Sequence, residues 1–391
     1  MKKFFDNDII KTKGGESVKK VLVFIESLDG GGAEAILKNI VRVIDKSKFD
    51  ITVVTETDGE IYTDEVKSQV CHRSFVKKSN SAVRQMFNKA VIKYSLLASE
   101  KAVRNNLIRG KYDVEIAFCE GYATKVIGNS GRENCKKIAW VHTDVINNPW
   151  SEEIFGGAEN ERKCYEKFDA VVCVSETMRD SFVKKYGMAE KVRVVYNVID
   201  DDETRKKGEE TAEFDLPRPI FALAGRLTKV KGYDRLLRVC AALRNMGYEF
   251  SVAILGKGEE EENIKKKISE NALQDRVKLF GFQENPHKFI SKADVFVCSS
   301  YAEGYSTAVS EAVILGVPVV TTECSGMREI FGDEECGIIC DNDDEALFKA
   351  MKKVLDEPEL LKKFKAAEKR RAEKFNINSR IKAVEDFIEN I

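Results

Sequence analysis

The sequence predicts an α/β protein built from two doubly wound parallel sheets, each of them a Rossmann-like domain. Short apolar runs rich in β-branched residues alternate with longer helical segments, as buried parallel strands alternate with the helices that cover them. The alternation begins at residue 20, stops at a polar stretch over 200–218, and then begins again. A chain of 391 residues is also too long for one ordinary core.

The elements follow in order along the chain. In the first half we predict strands at 21–25, 51–55, 114–118, 137–141, 170–174 and 192–196, with helices at 33–44, 83–109 and 176–186. In the second half we predict strands at 219–224, 250–255, 277–280, 294–298, 317–321 and 337–340, with helices at 232–246, 259–271, 307–315 and 344–354. Each half therefore contains enough strands for its own sheet.

This order sets the domain boundaries. They are an N-terminal polar extension over 1–20, a first domain over 21–199, an exposed linker over 200–218, a second domain over 219–375, and a C-terminal helix over 376–391 that crosses back to the first domain. Two such domains that face each other leave a cleft, and a ligand is expected there.

Composition excludes several classes of protein. The chain has 64 Lys and Arg against 65 Asp and Glu, and its net charge of -1 gives no reason to expect a nucleic-acid partner. Ten cysteines without a C-x-x-C pair indicate reduced thiols in a cytosolic protein, and Cys336 with Cys340 makes a poor zinc site. Neither a signal peptide nor a run of about 18 apolar residues is present, so we expect an intracellular chain that does not span a membrane.

The most informative stretch is the loop and helix between the strands at 294–298 and 317–321. Glu303 and Gly304 fall in the loop at the carboxyl end of a strand, whereas Glu311 falls about one turn into the next helix. Ser306 or Thr307 is expected to cap that helix, which leaves free backbone amides there for a diphosphate.

A basic loop opens the second domain after its first strand. Arg226 can form a bidentate contact with a phosphate, and Lys231 can act as a point charge. A solvated loop would have similar residues, but loops that follow strands of one parallel sheet converge on one edge. The cations should therefore meet the loop at Glu303, whose carboxylate suits a sugar hydroxyl. Gly256 belongs to a similar loop, and Phe282 would lie against a nucleobase or in the core.

Two motifs of the first half leave alternatives open. Gly30, Gly32 and Ala35 satisfy the G-x-G-x-x-G/A dinucleotide fingerprint, with Glu56 placed to bind a ribose, but four residues separate the first glycine from the strand. A second alternative is a flexible glycine loop that lets a substrate approach the backbone. A third is a loop whose glycines only allow a positive φ and have no role in binding. His142 ends a strand and is either functional or structural.

Taken together, these motifs resemble the retaining family 4 glycosyltransferases of the GT-B fold over residues 21–391. The resemblance rests on Gly31 to Glu34, His142, Gly225-Arg226-Leu227 with Lys231-Gly232, and Glu303-Gly304 through Glu311-Ala312. It implies that the second domain holds most of a nucleotide-sugar donor and the first faces the acceptor. The loop Tyr305-Ser306-Thr307 differs from the residues that are commoner at these positions in the family. The resemblance therefore does not specify the donor sugar.

The resemblance also implies a role for each residue. Arg226 and Lys231 would hold the diphosphate, Glu311 the ribose and Glu303 the sugar hydroxyls, while His142 would face the reacting sugar and Gly31 and Gly32 would lie near the phosphates and acceptor. Further donor contacts would come from Gly225, Gly256, Phe282, Gly304, Tyr305, Ser306, Thr307 and Ala308. His142, Arg226, Lys231 and Glu303 would be the catalytic residues.

The implied reaction transfers a hexose-type sugar, with retention, from a UDP-linked donor to a glycan or lipid-linked acceptor in cell-surface polysaccharide or glycoconjugate synthesis. It would need no metal and no cofactor, so the acidic strings at Asp200 and Asp341 are interpreted as solvated loops. The alternatives are a nucleotide-sugar epimerase of the same fold, an NAD-dependent dehydrogenase and a non-enzymatic binding subunit.

The segment 73–111 carries ten Lys or Arg and one acid, Glu100, interleaved with apolar residues. Such a basic amphipathic helix can lie on an anionic membrane, which would place a cytoplasmic protein on the inner face of the membrane. The alternative is an ordinary helix packed on the sheet with a solvated basic face.

Overall fold

The structure is a computed structural model that describes residues 18–132, 134–212 and 216–391. Most of the predicted extension over 1–20, and residues 213–215 of the predicted linker, lie outside the described residues. The described residues form two compact units. The first comprises 18–141, 151–172 and 381–391, and the second comprises 142–150 and 173–380.

The strands of the described chain are β1 (Lys19–Phe24), β2 (Phe49–Thr55), β3 (Cys71–Ser74), β4 (Val114–Ala117), β5 (Lys136–Val141), β6 (Ala170–Cys173), β7 (Val192–Val194), β8 (Ile220–Ala224), β9 (Ser251–Leu255), β10 (Val277–Gly281), β11 (Val295–Cys298), β12 (Val319–Thr322) and β13 (Gly337–Cys340). They form two sheets, in the orders β3-β2-β1-β4-β5-β6-β7 and β10-β9-β8-β11-β12-β13. The second sheet is parallel throughout.

The helices are α1 (Gly32–Val43), α2 (Thr63–Gln69), α3 (Ala82–Leu97), α4 (Glu100–Val103), α5 (Tyr122–Gly128), α6 (Glu152–Phe155), α7 (Ala158–Tyr165), α8 (Glu176–Tyr186), α9 (Asp201–Gly208), α10 (Tyr233–Asn245), α11 (Glu261–Glu270), α12 (His287–Ile290), α13 (Thr307–Ile314), α14 (Met327–Phe331), α15 (Asp344–Asp356), α16 (Leu360–Ala372) and α17 (Ile377–Glu389). A π-helical turn, Arg104–Ile108, follows α4, and a short 3-10 turn, Lys229–Lys231, precedes α10.

The predicted fold class is confirmed. Both sheets have the doubly wound strand order. In each sheet the order reverses its direction between two neighbouring strands, which are β1 and β4 in the first sheet and β8 and β11 in the second. In such sheets the loops at the carboxyl ends of these two strands border the ligand site. The strands are buried because helices such as α10 and α15 pack their apolar residues on the second sheet.

Three predictions about local structure need correction. The single helix predicted over 83–109 is divided at Ser99, whose side chain accepts a hydrogen bond from Ala102 N (3.3 Å) and starts α4. The edge strand β3 was not predicted, because its residues Cys71–Ser74 contain no apolar run.

The predicted exposed linker begins with a helix instead. Asp200 is buried and caps α9 by accepting a hydrogen bond from Glu203 N (2.8 Å), so the acidic string there is not a solvated loop. Asp201, also buried, accepts from Ile377 N (3.1 Å) and pairs with Arg205 (2.7 Å). Three acids in the first turn are typical of a helix start, because they interact favourably with the helix dipole.

The C-terminal residues 381–391 belong to the first unit. There Lys19 Nζ donates to Ile388 O (2.8 Å), and Asp45 N donates to a carboxylate oxygen of Glu385 (2.8 Å). The last helix therefore contributes directly to the packing of the first sheet.

Candidate functional site

The site begins where two loops of the second unit meet at the carboxyl edge of its sheet. Gly232, with a φ of 66°, ends the 3-10 turn after β8, and a Cβ there would lie 2.0 Å from Ser299 O. Tyr301 N donates to Val230 O (2.8 Å), and Ser299 Oγ donates to Lys231 O (3.0 Å). Only glycine permits this approach, which fastens the basic loop to the loop after β11.

Lys231 and Glu303 form an ion pair at this junction. Lys231 Nζ lies 2.7 Å from Glu303 Oε1, which also accepts a hydrogen bond from Ser300 Oγ (2.6 Å). Burial opposes the charge of Lys231, but the carboxylate of Glu303 outweighs it and raises the pKa of the lysine. The prediction that the two loops converge is thus confirmed, and the pair adds a contact that the sequence did not reveal.

The glycines of the neighbouring loops bring backbone segments together. A Cβ at Gly256 would lie 1.9 Å from Gly225 O, and Gly256 N donates to Gly281 O (2.8 Å). The first residues of the loops that follow β8, β9 and β10 therefore lie side by side. Arg226 is exposed in the loop that follows β8. Close backbone packing explains why Gly256 is a glycine, whereas its predicted donor contact stays a prediction.

Phe282 follows β10 and is exposed, so the alternative that placed it in the core is wrong. Lys257 Nζ lies 5.3 Å from the centroid of its ring, which is a cation–π distance. The predicted contact of this exposed ring with a nucleobase stays a prediction.

The helix after Glu303 has the predicted start. Ser306 caps α13 by accepting a hydrogen bond from Val309 N (3.4 Å), so the predicted cap is confirmed and the amides of Thr307 and Ala308 lie in the first turn. Glu311 lies one turn further on, and its Oε2 is 3.4 Å from His287 Nε2. Sequence reasoning missed His287, although it is one of only three histidines in the chain.

The two residues after Glu303 are enclosed. Tyr305 is buried, with its ring packed against Tyr196 (centroids 5.5 Å apart), and its carbonyl accepts from Asn197 Nδ2 (3.2 Å). A Cβ at Gly304 would lie 2.0 Å from His142 O and 2.6 Å from Met178 Sδ. Tyr305 therefore supports the loop from behind, and Gly304 is required by close packing.

His142 belongs to the second unit, although the sequence placed it in the first domain. It starts the segment 142–150, the first part of the chain that belongs to the second unit, and its carbonyl packs against Gly304. The structure thus places the backbone of His142 against the Glu303 loop, whereas the predicted role of its side chain at the reacting sugar stays a prediction.

Asp144 anchors this segment, and sequence reasoning assigned it no role. Its Oδ2 accepts hydrogen bonds from Ser325 Oγ (2.6 Å), Asn147 Nδ2 (2.9 Å) and Ser181 Oγ (3.3 Å), and its Oδ1 accepts from the amides of Ile146 and Asn147 (2.9 and 3.1 Å). Burial would raise its pKa, but these hydrogen bonds outweigh burial and lower it. The buried carboxylate holds His142's segment against α8 and the loop before α14.

The glycine loop of the first unit leads into α1. Gly30 has a φ of +84°, Gly31 caps α1, and Gly32 is its first residue. Nearby, Glu26 accepts a hydrogen bond from Ala123 N (2.7 Å), and burial followed by the charges of Glu56 and Glu120 raises its pKa to about 7. The alternative in which the loop needs positive φ at Gly30 therefore has a structural basis.

Among residues 18–132, 134–212 and 216–391, no group of three or more His, Cys, Asp or Glu side chains is placed to hold a metal ion. The ten cysteines are free thiols, as predicted, and Cys298 and Cys324 are buried near Glu303. No helix in the same ranges has the length and apolar character needed to cross a bilayer.

Comparisons with known proteins give the class of protein. One family model, Glycosyltransferase Family 4, matches residues 30–203, and a second, Glycosyl transferases group 1, matches residues 204–371. The N-acetylgalactosamine-N,N'-diacetylbacillosaminyl-diphospho-undecaprenol 4-alpha-N-acetylgalactosaminyltransferase of Campylobacter jejuni is 26% identical over 367 residues, which cover 92% of this chain and 96% of the relative. The O-antigen biosynthesis glycosyltransferase WclY of Escherichia coli is 30% identical over 173 residues, 43% of this chain and 47% of WclY.

Solved structures share the fold. Anabaena Alr3699/HepE in complex with UDP and glucose has a TM-score of 0.74 at 16% identity, covering 95% of this chain and 100% of that one. Sucrose-phosphate synthase from Thermosynechococcus elongatus has a TM-score of 0.73 at 16% identity, covering 95% and 98%. The fold and the matches define a glycosyltransferase of the GT-B fold. Within that class, the chain belongs to the family 4-like glycosyltransferases, which sets aside the dehydrogenase and the non-enzymatic subunit.

Proposed function

We propose that this enzyme transfers a hexose-type sugar, with retention, from a UDP-sugar to a glycan or lipid-linked acceptor in the synthesis of a cell-surface polysaccharide or glycoconjugate. The observation that carries the proposal is the Lys231–Glu303 pair at the point where the second sheet reverses its strand order. The names of the similar proteins support it, since the Campylobacter relative acts on a diphospho-undecaprenol-linked glycan and the Anabaena structure contains UDP and glucose.

The donor's charges match the side chains at this edge. Arg226 is exposed at the start of the basic loop and can hold the diphosphate by two parallel hydrogen bonds, while Lys231 adds a second positive charge. The amides at the start of α13 are further donors. Glu303 and Glu311 would accept hydrogen bonds from the hydroxyls of the sugar and the ribose. Phe282 would stack on the base.

In the proposed reaction, an acceptor hydroxyl attacks the anomeric carbon on the face from which the diphosphate leaves. The bond from that carbon to the phosphate oxygen breaks, the bond to the acceptor oxygen forms, and the acceptor's proton passes to the departing phosphate oxygen. Negative charge grows on the phosphates, and each well-placed donor that stabilises it contributes about 3–4 kcal/mol. The fixed cations and amides make a metal unnecessary, and His142 lies beside the reacting sugar.

A thermal-shift screen tests the donor. We expect UDP and UDP-sugars to raise the melting temperature more than ADP or GDP, because a ligand that binds only the folded state stabilises it. Slow hydrolysis of one UDP-sugar should appear without an acceptor and persist in EDTA, and the proton NMR spectrum of the first product should show the donor's anomeric configuration. Absence of stabilisation by any nucleoside diphosphate would contradict the donor assignment, and an inverted product would contradict retention.

We also propose that α3 places the enzyme on the inner face of a membrane. Ser95 is the one buried residue among those described for this helix, whereas Val83, Met86 and Leu97 are at least 70% exposed. Residues 83, 86, 87, 94 and 97 recur at helical spacing and form one apolar stripe on the exposed side. This arrangement differs from the alternative of a helix packed on the sheet.

The charges beside the stripe favour an anionic surface. Lys89 and Lys93 flank it one turn apart, and both are exposed. Each lysine near an anionic bilayer contributes about 1 kcal/mol to binding. The charge-reversed variant Lys89→Glu/Lys93→Glu should therefore bind anionic vesicles at least about tenfold more weakly in cosedimentation at low salt.

The matched control reverses two exposed cations of the second unit, Lys265→Glu/Lys266→Glu on α11, and should bind like the wild type. An equal loss of vesicle binding in both variants would mean that binding depends on the net charge of the protein and not on α3. If the wild type does not bind vesicles, the membrane proposal is wrong.

A further inference from the structure

The segment 142–150 exposes a tryptophan beside the proposed site. Trp150 is 44% exposed and Ile146 is 38% exposed, whereas the other tryptophan of the chain, Trp140, is 2% exposed. Burying a large aromatic side chain away from water lowers the free energy. An exposed tryptophan in a ligand-binding region is therefore a candidate contact for the ligand.

This exposure does not result from a loose loop. Asp144, in the middle of the segment, is buried and receives five hydrogen bonds, and Lys185 Nζ donates to Val145 O from α8. A segment anchored in this way presents its side chains in one geometry, which lowers the entropy lost when a ligand binds.

Trp150 also contacts the residue that follows His142. Its indole N–H donates to Thr143 Oγ1 (3.3 Å), and Thr143 follows His142, whose carbonyl packs against Gly304 in the donor loop. The indole therefore belongs to the same anchored segment as His142, on the second unit.

The chemistry around Trp150 suits a sugar better than a membrane. The segment 142–150 carries no Lys or Arg, Glu152 and Glu153 follow it, and the ammonium of Lys185 on α8 is held by Val145 O, so the segment is a poor site for an anionic surface. The side-chain amide of Asn148 supplies a donor and an acceptor for hydroxyl groups, and the amide oxygen of Asn147, whose Nδ2 donates to Asp144, supplies a further acceptor. An apolar ring face together with amides matches a pyranose, which has an apolar C–H face and a polar rim.

We propose that Trp150 forms an acceptor subsite, in which the indole stacks on the C–H face of a pyranose ring of the acceptor glycan. This subsite rests on the proposed transferase function and names the part of the acceptor that the segment 142–150 recognises. Trp150 positions the acceptor and takes no part in bond breaking.

The test uses the full chain saturated with UDP and a panel of methyl glycosides of glucose, galactose and the N-acetylhexosamines, followed by acrylamide quenching of tryptophan fluorescence. Because Trp140 is buried, Trp150 dominates the quenchable signal. We expect at least one glycoside to shield the tryptophan. Binding of that glycoside, measured by saturation-transfer NMR, should fall about tenfold in Trp150→Ala and remain within about twofold of wild type in Trp150→Phe, since a phenyl ring preserves stacking.

Met246→Ala removes another exposed apolar side chain of the second unit and should bind like the wild type. The stabilisation by UDP should be the same in all variants, so its loss in the wild type would indicate failure of the donor proposal instead. The acceptor subsite is overturned if no glycoside shields Trp150, if Trp150→Ala binds the glycoside normally, or if that variant loses vesicle binding while keeping glycoside affinity.

Discussion

The carboxyl edges of the two sheets share an architecture and differ in charge. Each edge has a glycine-containing loop after the first strand of its sheet and lies where the strand order reverses. In the second unit this edge holds Lys231, paired with Glu303 at 2.7 Å. In the first unit it holds Glu26, whose pKa is raised to about 7 by burial and then by the charges of Glu56 and Glu120.

The fold therefore offers two similar edges, and the side chains at each edge decide which of them can bind a diphosphate. A diphosphate would be attracted by Lys231 and Arg226 of the second edge, whereas Glu26, Glu56 and Glu120 of the first edge offer it no positive charge. The dinucleotide alternative for Gly30 and Gly32 is set aside by the family models that match the chain, besides the width of the turn. Function resides in the site and not in the fold as such.

The largest expected effect comes from removing the cation of the second edge. Lys231→Ala should lower kcat/KM by at least about 100-fold, because the charge that develops on the leaving diphosphate loses a fixed donor. Circular dichroism should show an intact fold.

The matched control is Lys229→Ala, which removes an exposed cation two positions earlier in the same turn. It should retain activity within about twofold, since an exposed charge is screened by solvent. Near-normal turnover of Lys231→Ala would show that the cation at the second edge does not stabilise the leaving diphosphate.

A smaller effect is expected from Glu303→Gln. The amide keeps the shape but loses the charge-assisted hydrogen bonds, so kcat/KM with a UDP-sugar should fall about 10- to 100-fold. The affinity for UDP alone should be retained or increased, because Lys231 loses its competing carboxylate. Isothermal titration with UDP and with a UDP-sugar separates the two effects, and an equal loss for both ligands would argue against a role of Glu303 in sugar binding.

The smallest effect on activity is expected at the first edge. The pKa of Glu26 is raised from 4.5 to about 7, so the folded state binds its proton more tightly than the unfolded state. The stability that this proton confers is present below the unfolded pKa and is lost as pH rises through the folded pKa. Glu26→Gln can still accept from Ala123 N, and its melting temperature should exceed that of the wild type increasingly between about pH 5 and pH 8.

UDP binding of Glu26→Gln should be unchanged, which is the sharpest contrast with the second edge. A constant difference in melting temperature across that pH range would show that the carboxyl does not titrate there, and weakened UDP binding would mean that the first edge also holds the donor.

Most of the fold could be predicted because it depends on local patterns. The helix predicted at 176–186 has those bounds in the structure, and Ser306 caps α13 as its residue type suggested. The errors have local causes too. The edge strand β3 has no apolar run, the division at Ser99 lies within continuous helical periodicity, and the acidic start of α9 was interpreted as a linker.

Sequence alone determined the α/β class, the two sheets and the loops that share an edge, because period and chain order encode them. The tertiary structure decided which side chains meet there. Lys231 and Glu303 are 72 positions apart, Asp144 and Ser325 are 181 apart, and Tyr305 turns into the core against Tyr196. Such contacts arise from packing between distant segments, and no local spacing specifies them.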